Sequence, residues 1–143
     1  MEIDPDFVPA KVQMALVLEQ REKTKEAISQ LEEIIVQYPA NIDANFHLGR
    51  LYYNEDRINE AIDRLTTTLL LSPYHTNARF SLALAFEKRG EYQKALDQLK
   101  VVEQLNPENE LVKNKIEAIK QKMNPPKPAK EEEKEQEKEE TKE

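Results

Sequence analysis

Apolar residues along most of this chain recur at intervals of three and four. Ile58, Ile62, Leu65 and Leu69 form one run, and Leu96, Leu99 and Val102 another, the spacing that places side chains on one face of an α-helix. Prolines punctuate these runs: Pro5, Pro39, Pro73 and Pro107 fall 34 residues apart in every interval. A proline cannot continue a helix and biases the residue before it away from helical angles. Ala27, Ala61 and Ala95 share the 34-residue spacing, as do Ala44 with Ala78 and Phe46 with Phe80. So many coincidences in register mark an internal repeat. Each unit is predicted to be two short helices and a turn, 9–21 with 24–37, 42–54 with 58–71, and 76–89 with 92–105. Gly90 suits the turn of the third pair because it accepts left-handed backbone without penalty.

The two ends of the pattern differ. Residues 110–123 predict a seventh helix, with Val112, Ile116, Ile119 and Met123 along one face and Lys113, Lys115, Glu117, Lys120 and Lys122 around the rest. One apolar stripe and one charged face is how a stack of helices ends. Pro125 and Pro126 then stop it. At the other end, Glu2-Ile3-Asp4-Pro5 occupies the phase where a preceding outer helix would finish. The helix after it contains Met14-Ala15-Leu16-Val17-Leu18, and at about 100° per residue these five apolar side chains point in all directions, as in a helix packed on both sides. Two expectations stand: a segment of a longer array whose uncapped first helix offers a surface for self-association, or a natural start with an apolar-rich first helix.

The units resemble tetratricopeptide repeats. Phe46-His47-Leu48-Gly49-Arg50-Leu51-Tyr52 supplies the Leu-Gly-x-x-Tyr core of that motif, followed by Ala61, Leu65 and Pro73 at the family's offsets. The third unit matches through Leu82-Ala83-x-x-Phe86, Ala95, Leu99 and Pro107, and the first more weakly through Met14-Ala15-x-x-Leu18, Ala27, Leu31 and Pro39. Small residues at 15, 49 and 83, and at 27, 61 and 95, are what two close-crossing helices require. Lys11, Asn45 and Arg79 replace the family's tryptophan, and Ile34, Thr68 and Val102 replace a second small position. The resemblance implies an all-α fold, a right-handed α-solenoid of antiparallel helix pairs with about seven helices. It divides the chain into an arm at 1–7 resembling the end of a preceding repeat, a domain at 8–123 (repeats 8–41, 42–75 and 76–109, capping helix 110–123), and a tail at 124–143.

Composition narrows the function. The tail is Lys and Glu with no aliphatic or aromatic residue after Ala129, so it is expected to be disordered. Glu-to-Lys pairs three apart support only a transient helix there. The net charge of −7 divides into −4 over residues 1–123 and −3 over the tail, with basic residues interspersed among acids, which is no phosphate-tracking surface. Nucleic acid is therefore not an expected partner. The chain has no cysteine, which excludes disulfides and thiolate metal sites. No run reaches the length of a membrane span, and the acidic opening is unlike a signal peptide. No direct membrane insertion and a cytoplasmic location are the expectations for the chain as written.

In tetratricopeptide-repeat proteins the inner helix of each pair lines the concave face that takes ligands. By phase, the resemblance places there Val12, Gln13, Leu16, Glu19 and Gln20, then Phe46, His47, Arg50, Tyr53 and Asn54, then Phe80, Ser81, Leu84, Glu87 and Lys88. Val12, Phe46 and Phe80 make one row, and Leu16, Arg50 and Leu84 the next. Apolar side chains with one guanidinium among them suit a peptide with apolar anchors and one acidic group. The alternative places Phe46 and Phe80 partly in the core. Members of the family that hold the C-terminal carboxylate of chaperones use a Lys, Asn, Asn, Lys, Arg set. The matching phases here are Pro9, Gln13, His47, Asn77 and Ser81, which supply no cation. His47 has no second histidine, cysteine or carboxylate cluster to assist it, and His75 is expected in a solvent-exposed turn. With no phosphate loop or triad, the expected function is a non-catalytic, cofactor-free module binding a peptide or protein segment. The alternatives are an architectural segment of a longer solenoid or membrane-anchored protein, and a small secretion-type chaperone.

Overall fold

The computed structural model describes residues 7–125 and 129–142. Among these, eight helices follow in order: α1 (Val8–Gln20), α2 (Thr24–Gln37), α3 (Ile42–Asn54), α4 (Ile58–Leu71), α5 (Thr76–Lys88), α6 (Tyr92–Leu105), α7 (Glu110–Met123) and α8 (Ala129–Glu140). The first seven match the predicted helices to within one residue at each end. Apart from Phe7, the arm expected over residues 1–7 lies outside the described residues.

The same turn closes each pair. Glu22, Asp56 and Gly90, themselves 34 apart, take φ of 62°, 62° and 77°. The next amide in each case, of Lys23, Arg57 and Glu91, donates to the carbonyl of Leu18, Tyr52 and Phe86 at 2.9, 2.8 and 2.9 Å, which satisfies the last carbonyls of the inner helix. Between pairs, Asn41, His75 and Asn109 cap the next inner helix by accepting from the amides of Ala44, Ala78 and Val112 at 2.9, 3.0 and 3.4 Å. Such caps satisfy amides that a helix start leaves unpaired. His75, expected in an exposed turn, is therefore a half-buried cap whose Nδ1 is the acceptor. Phe7, at the same position before α1, offers no side-chain acceptor.

Inner and outer helices cross closely within each pair. Ala15, Ala27, Ala61, Ala83 and Ala95 are fully buried, and a Cβ added to Gly49 would stand 2.8 Å from Leu65 Cγ. Ile34, Thr68 and Val102 are also buried, and the Thr68 hydroxyl donates to the Arg64 carbonyl at 2.9 Å within its own helix. The outer helix then covers the next inner helix. Ile28, Leu31 and Ile35 of α2 share a cluster with Ala44, Leu48 and Leu51 of α3. Ile62, Leu65 and Leu69 of α4 do so with Ala78 and Leu82 of α5, and Leu96 and Leu99 of α6 with Val112, Ile116 and Ile119 of α7.

Where the family carries tryptophan, two polar latches stand instead. Asn45, fully buried, donates to the carbonyls of Pro39 and Asn41 at 3.0 and 2.8 Å and accepts from Arg64 at 3.0 Å. Arg79 donates twice to the Pro73 carbonyl, at 3.1 and 2.8 Å, and to Gln98 at 2.8 Å. Both latches hold the proline corner to the outer helix, with hydrogen bonds in place of aromatic packing, and the buried Asn45 has its polar atoms partnered.

The tail departs from expectation by carrying α8. Lys and Glu are good helix formers, and their opposite charges three and four apart support the helix locally. By phase α8 is the outer helix of a fourth pair. Its Glu133 and Gln136 stand where Leu65 and Thr68 are buried in α4, and both are exposed.

Candidate functional site

The inner helices α1, α3, α5 and α7 are tied along one face by ion pairs that join each to the next or, for α5, to the turn that ends α3. Arg50 on α3 forks onto Glu19 on α1, with Nη1 to Oε1 and Nη2 to Oε2 both at 2.7 Å. The hydrogen bond from Arg50 holds the Glu19 carboxyl below its ordinary value, and the same bond raises Arg50. Lys88 on α5 lies 3.5 Å from Asp56 and 5.6 Å above the ring of Tyr53 on α3. Glu87 on α5 accepts from Lys115 at 2.7 Å and from Lys122, both on α7. Burial raises the Glu87 pKa, but the hydrogen bonds from the two lysines outweigh it and leave the carboxyl below its ordinary value.

These pairs correct one expectation. Arg50 is not a free guanidinium awaiting an acidic ligand, because Glu19 already fills its fork. The signal was present in the sequence as an acid and a base one helical turn apart in phase on neighbouring inner helices, but pairing across 31 residues is settled by packing.

Val12 is a second correction. It is 3% exposed in a cluster with Ala15 and Ala27, so it is core and offers no surface to a ligand. Phe46 and Phe80, in the same row, are half-buried because a ring reaches beyond the depth at which a valine stops. Phe46 packs against Leu65, Ala78 and Leu82 and lies 5.0 Å from the His47 ring and 4.7 Å from the His75 ring. Phe80 packs on the cluster of α5, α6 and α7. Leu16, His47, Tyr53, Ser81 and Leu84 are half-buried, and Gln13, Gln20 and Asn54 are exposed. Burial first, and then the Arg50 charge, lower the His47 pKa, so its ring is neutral near pH 7.

Two cavities lie outside this strip or at its edge. One of about 330 Å³ is walled by Lys11, Met14, Gln30, Glu33, Ile34 and Gln37. Another of about 490 Å³ touches the strip at Phe80 and is otherwise walled by the end of α6 and the starts of α5 and α7. Among the described residues no cluster of His, Cys, Asp or Glu is placed to hold a metal ion, and no helix is long and apolar enough to cross a membrane.

The fold has solved counterparts. The first TPR of Spaghetti (RPAP3), bound to the HSP90 peptide SRMEEVD, superposes with a TM-score of 0.78 at 17% identity, covering 86% of this chain and 98% of that one. The type III secretion translocator chaperone SycD of Yersinia enterocolitica gives 0.77 at 19% identity, covering 85% and 89%. MamA gives 0.76 at 22% identity, covering 81% and 68%. At these identities the likeness is one of fold. No curated protein sequence matches the chain. Two family models, each described as Tetratricopeptide repeat, match residues 18–71 and 48–110, and the repeat they detect is the 34-residue unit of turns, caps and close crossings just described: the chain belongs to the tetratricopeptide repeat family.

Proposed function

We propose that this protein is a non-catalytic binding module whose inner-helix face holds an apolar, weakly charged peptide segment of another protein. The carrying observation is that Arg50 with Glu19, Lys88 with Asp56, and Glu87 with Lys115 and Lys122 are paired within the fold. What that face offers beyond them is Leu16, Phe46, His47, Tyr53, Phe80 and Leu84. Side chains of this kind, with polar groups at the margin, suit a helix-in-groove or extended ligand read through apolar anchors. The Spaghetti domain was solved with an HSP90 peptide and SycD with a peptide of the translocator YopD, which supports a peptide as the class of ligand. The acidic chaperone tail is disfavoured, because Gln13, His47, Asn77 and Ser81 place no cation at the phases that would hold its carboxylates. A secretion-type chaperone is the second reading, favoured by the same apolar strip.

The test is a selection of phage-displayed peptides on the full chain, with SRMEEVD titrated alongside. Enriched peptides carrying leucine or aromatic anchors and few acids are expected, with no saturable binding of SRMEEVD. Leu16→Gln with Leu84→Gln should weaken the selected peptides at least about tenfold, at unchanged helicity by circular dichroism. Selected peptides that are acidic, or that bind the double variant equally, refute the reading.

A further inference from the structure

Ala10, Met14 and Val17 of α1 stand in the phase of Ala44, Leu48 and Leu51 of α3, and α5 and α7 repeat the pattern. On α3, α5 and α7 this face is covered by the preceding outer helix. On α1 it is open: Met14 is 56% and Val17 44% exposed, against 2% and 1% for Leu48 and Leu51. The cavity of about 330 Å³ walled in part by Met14 and Ile34 opens beside it.

We propose that this face of α1 is a docking site for a single amphipathic α-helix from a partner polypeptide, laid antiparallel to α1 and carrying aliphatic residues at i, i+3 and i+7. The occupant's chemistry follows from an interface the chain makes three times within itself, where Ile28, Leu31 and Ile35 of α2 supply that spacing against α3. Helix pairs of this kind interlock through ridges three and four residues apart, and Ala10, like Ala44, permits close approach. A second copy of the chain has no unpacked apolar outer helix to offer, since α2, α4 and α6 are each buried along one face and α8 carries no aliphatic residue beyond Ala129. The site is distinct from the inner-helix strip and does not depend on what that strip binds.

The experiment uses the full chain with labelled methionine methyl groups and an acetylated, amidated peptide of residues 24–39, which carries Ile28, Leu31 and Ile35. The Met14 methyl signal should shift saturably while that of Met123 stays in place. Leu31→Glu in the peptide should abolish the shift, and Val17→Lys in the protein should weaken binding about tenfold or more, with helicity checked by circular dichroism. A Met14 signal unmoved by millimolar peptide, or affinity indifferent to Val17→Lys, overturns the proposal. So does a Met14 shift that grows with protein concentration alone, accompanied by a dimer in sedimentation, which would make a second copy the occupant.

Discussion

α1 and α7 occupy the same phase of the repeat at opposite ends of the stack, and they meet solvent in opposite ways. α7 buries Val112, Ile116 and Ile119 against α6. At the crossing phase held by Ala15, Gly49 and Ala83 it carries Glu117, which is exposed. A carboxylate there leaves an outer helix no close approach, and the helix that follows in phase, α8, has charge and amide where leucine and threonine were. α1 retains Ala15 for its own outer helix but leaves Met14 and Val17 open on the other side. Terminating a stack of helices thus takes more than polar residues outside. It takes removal of the small residue that invites the next crossing, together with loss of the aliphatic residues that would fill it.

Four substitutions break or sharpen this contrast. Ile119→Ala removes a fully buried side chain from the capped end and should cost about 2 to 5 kcal/mol, read as a fall in the denaturant midpoint. Met14→Ala at the open end should cost far less. Gly49→Ala puts a Cβ against Leu65 and should cost about 1 to 3 kcal/mol, whereas Glu117→Ala, at the same phase of α7, should leave stability within about 0.5 kcal/mol. An equal loss at both positions would mean that the crossing phase is wrongly assigned.

Glu87→Gln tests how the cap is tied down, and should cost about 1 to 2 kcal/mol in urea at pH 7. Because the Glu87 pKa lies below its ordinary 4.5, its contribution is complete above that pH and disappears as pH falls through the lower folded value. The gap between wild type and Glu87→Gln should therefore close in acid. A gap that stays constant from pH 7 to pH 3 would show that the lysine contacts carry no net stability. Smallest of all, Met14→Lys should change the stability of the isolated chain by no more than about 0.5 kcal/mol in thermal melts, while abolishing binding of the partner helix proposed for that face.

What the sequence by itself determined is everything that follows from local periodicity. Seven helices, the 34-residue unit, the close-crossing alanines and the capping stripe are legible because each rests on residue type at a fixed spacing along one chain. The turns were half legible: Gly90 announces left-handed backbone, but Glu22 and Asp56 adopt it under two hydrogen bonds that no side chain advertises. The caps at Asn41, His75 and Asn109 recur at the same spacing and were there to be read. Only the tertiary structure decided depth and partnership. Val12 and Phe46 share a phase, yet the short side chain is covered and the long ring is not, because burial depends on how far neighbouring helices reach. Arg50 reads as a ligand-binding cation until Glu19, on another helix, is brought within 2.7 Å. Charge pairing and solvent exposure belong to distances between helices, and periodicity along one helix carries no measure of those.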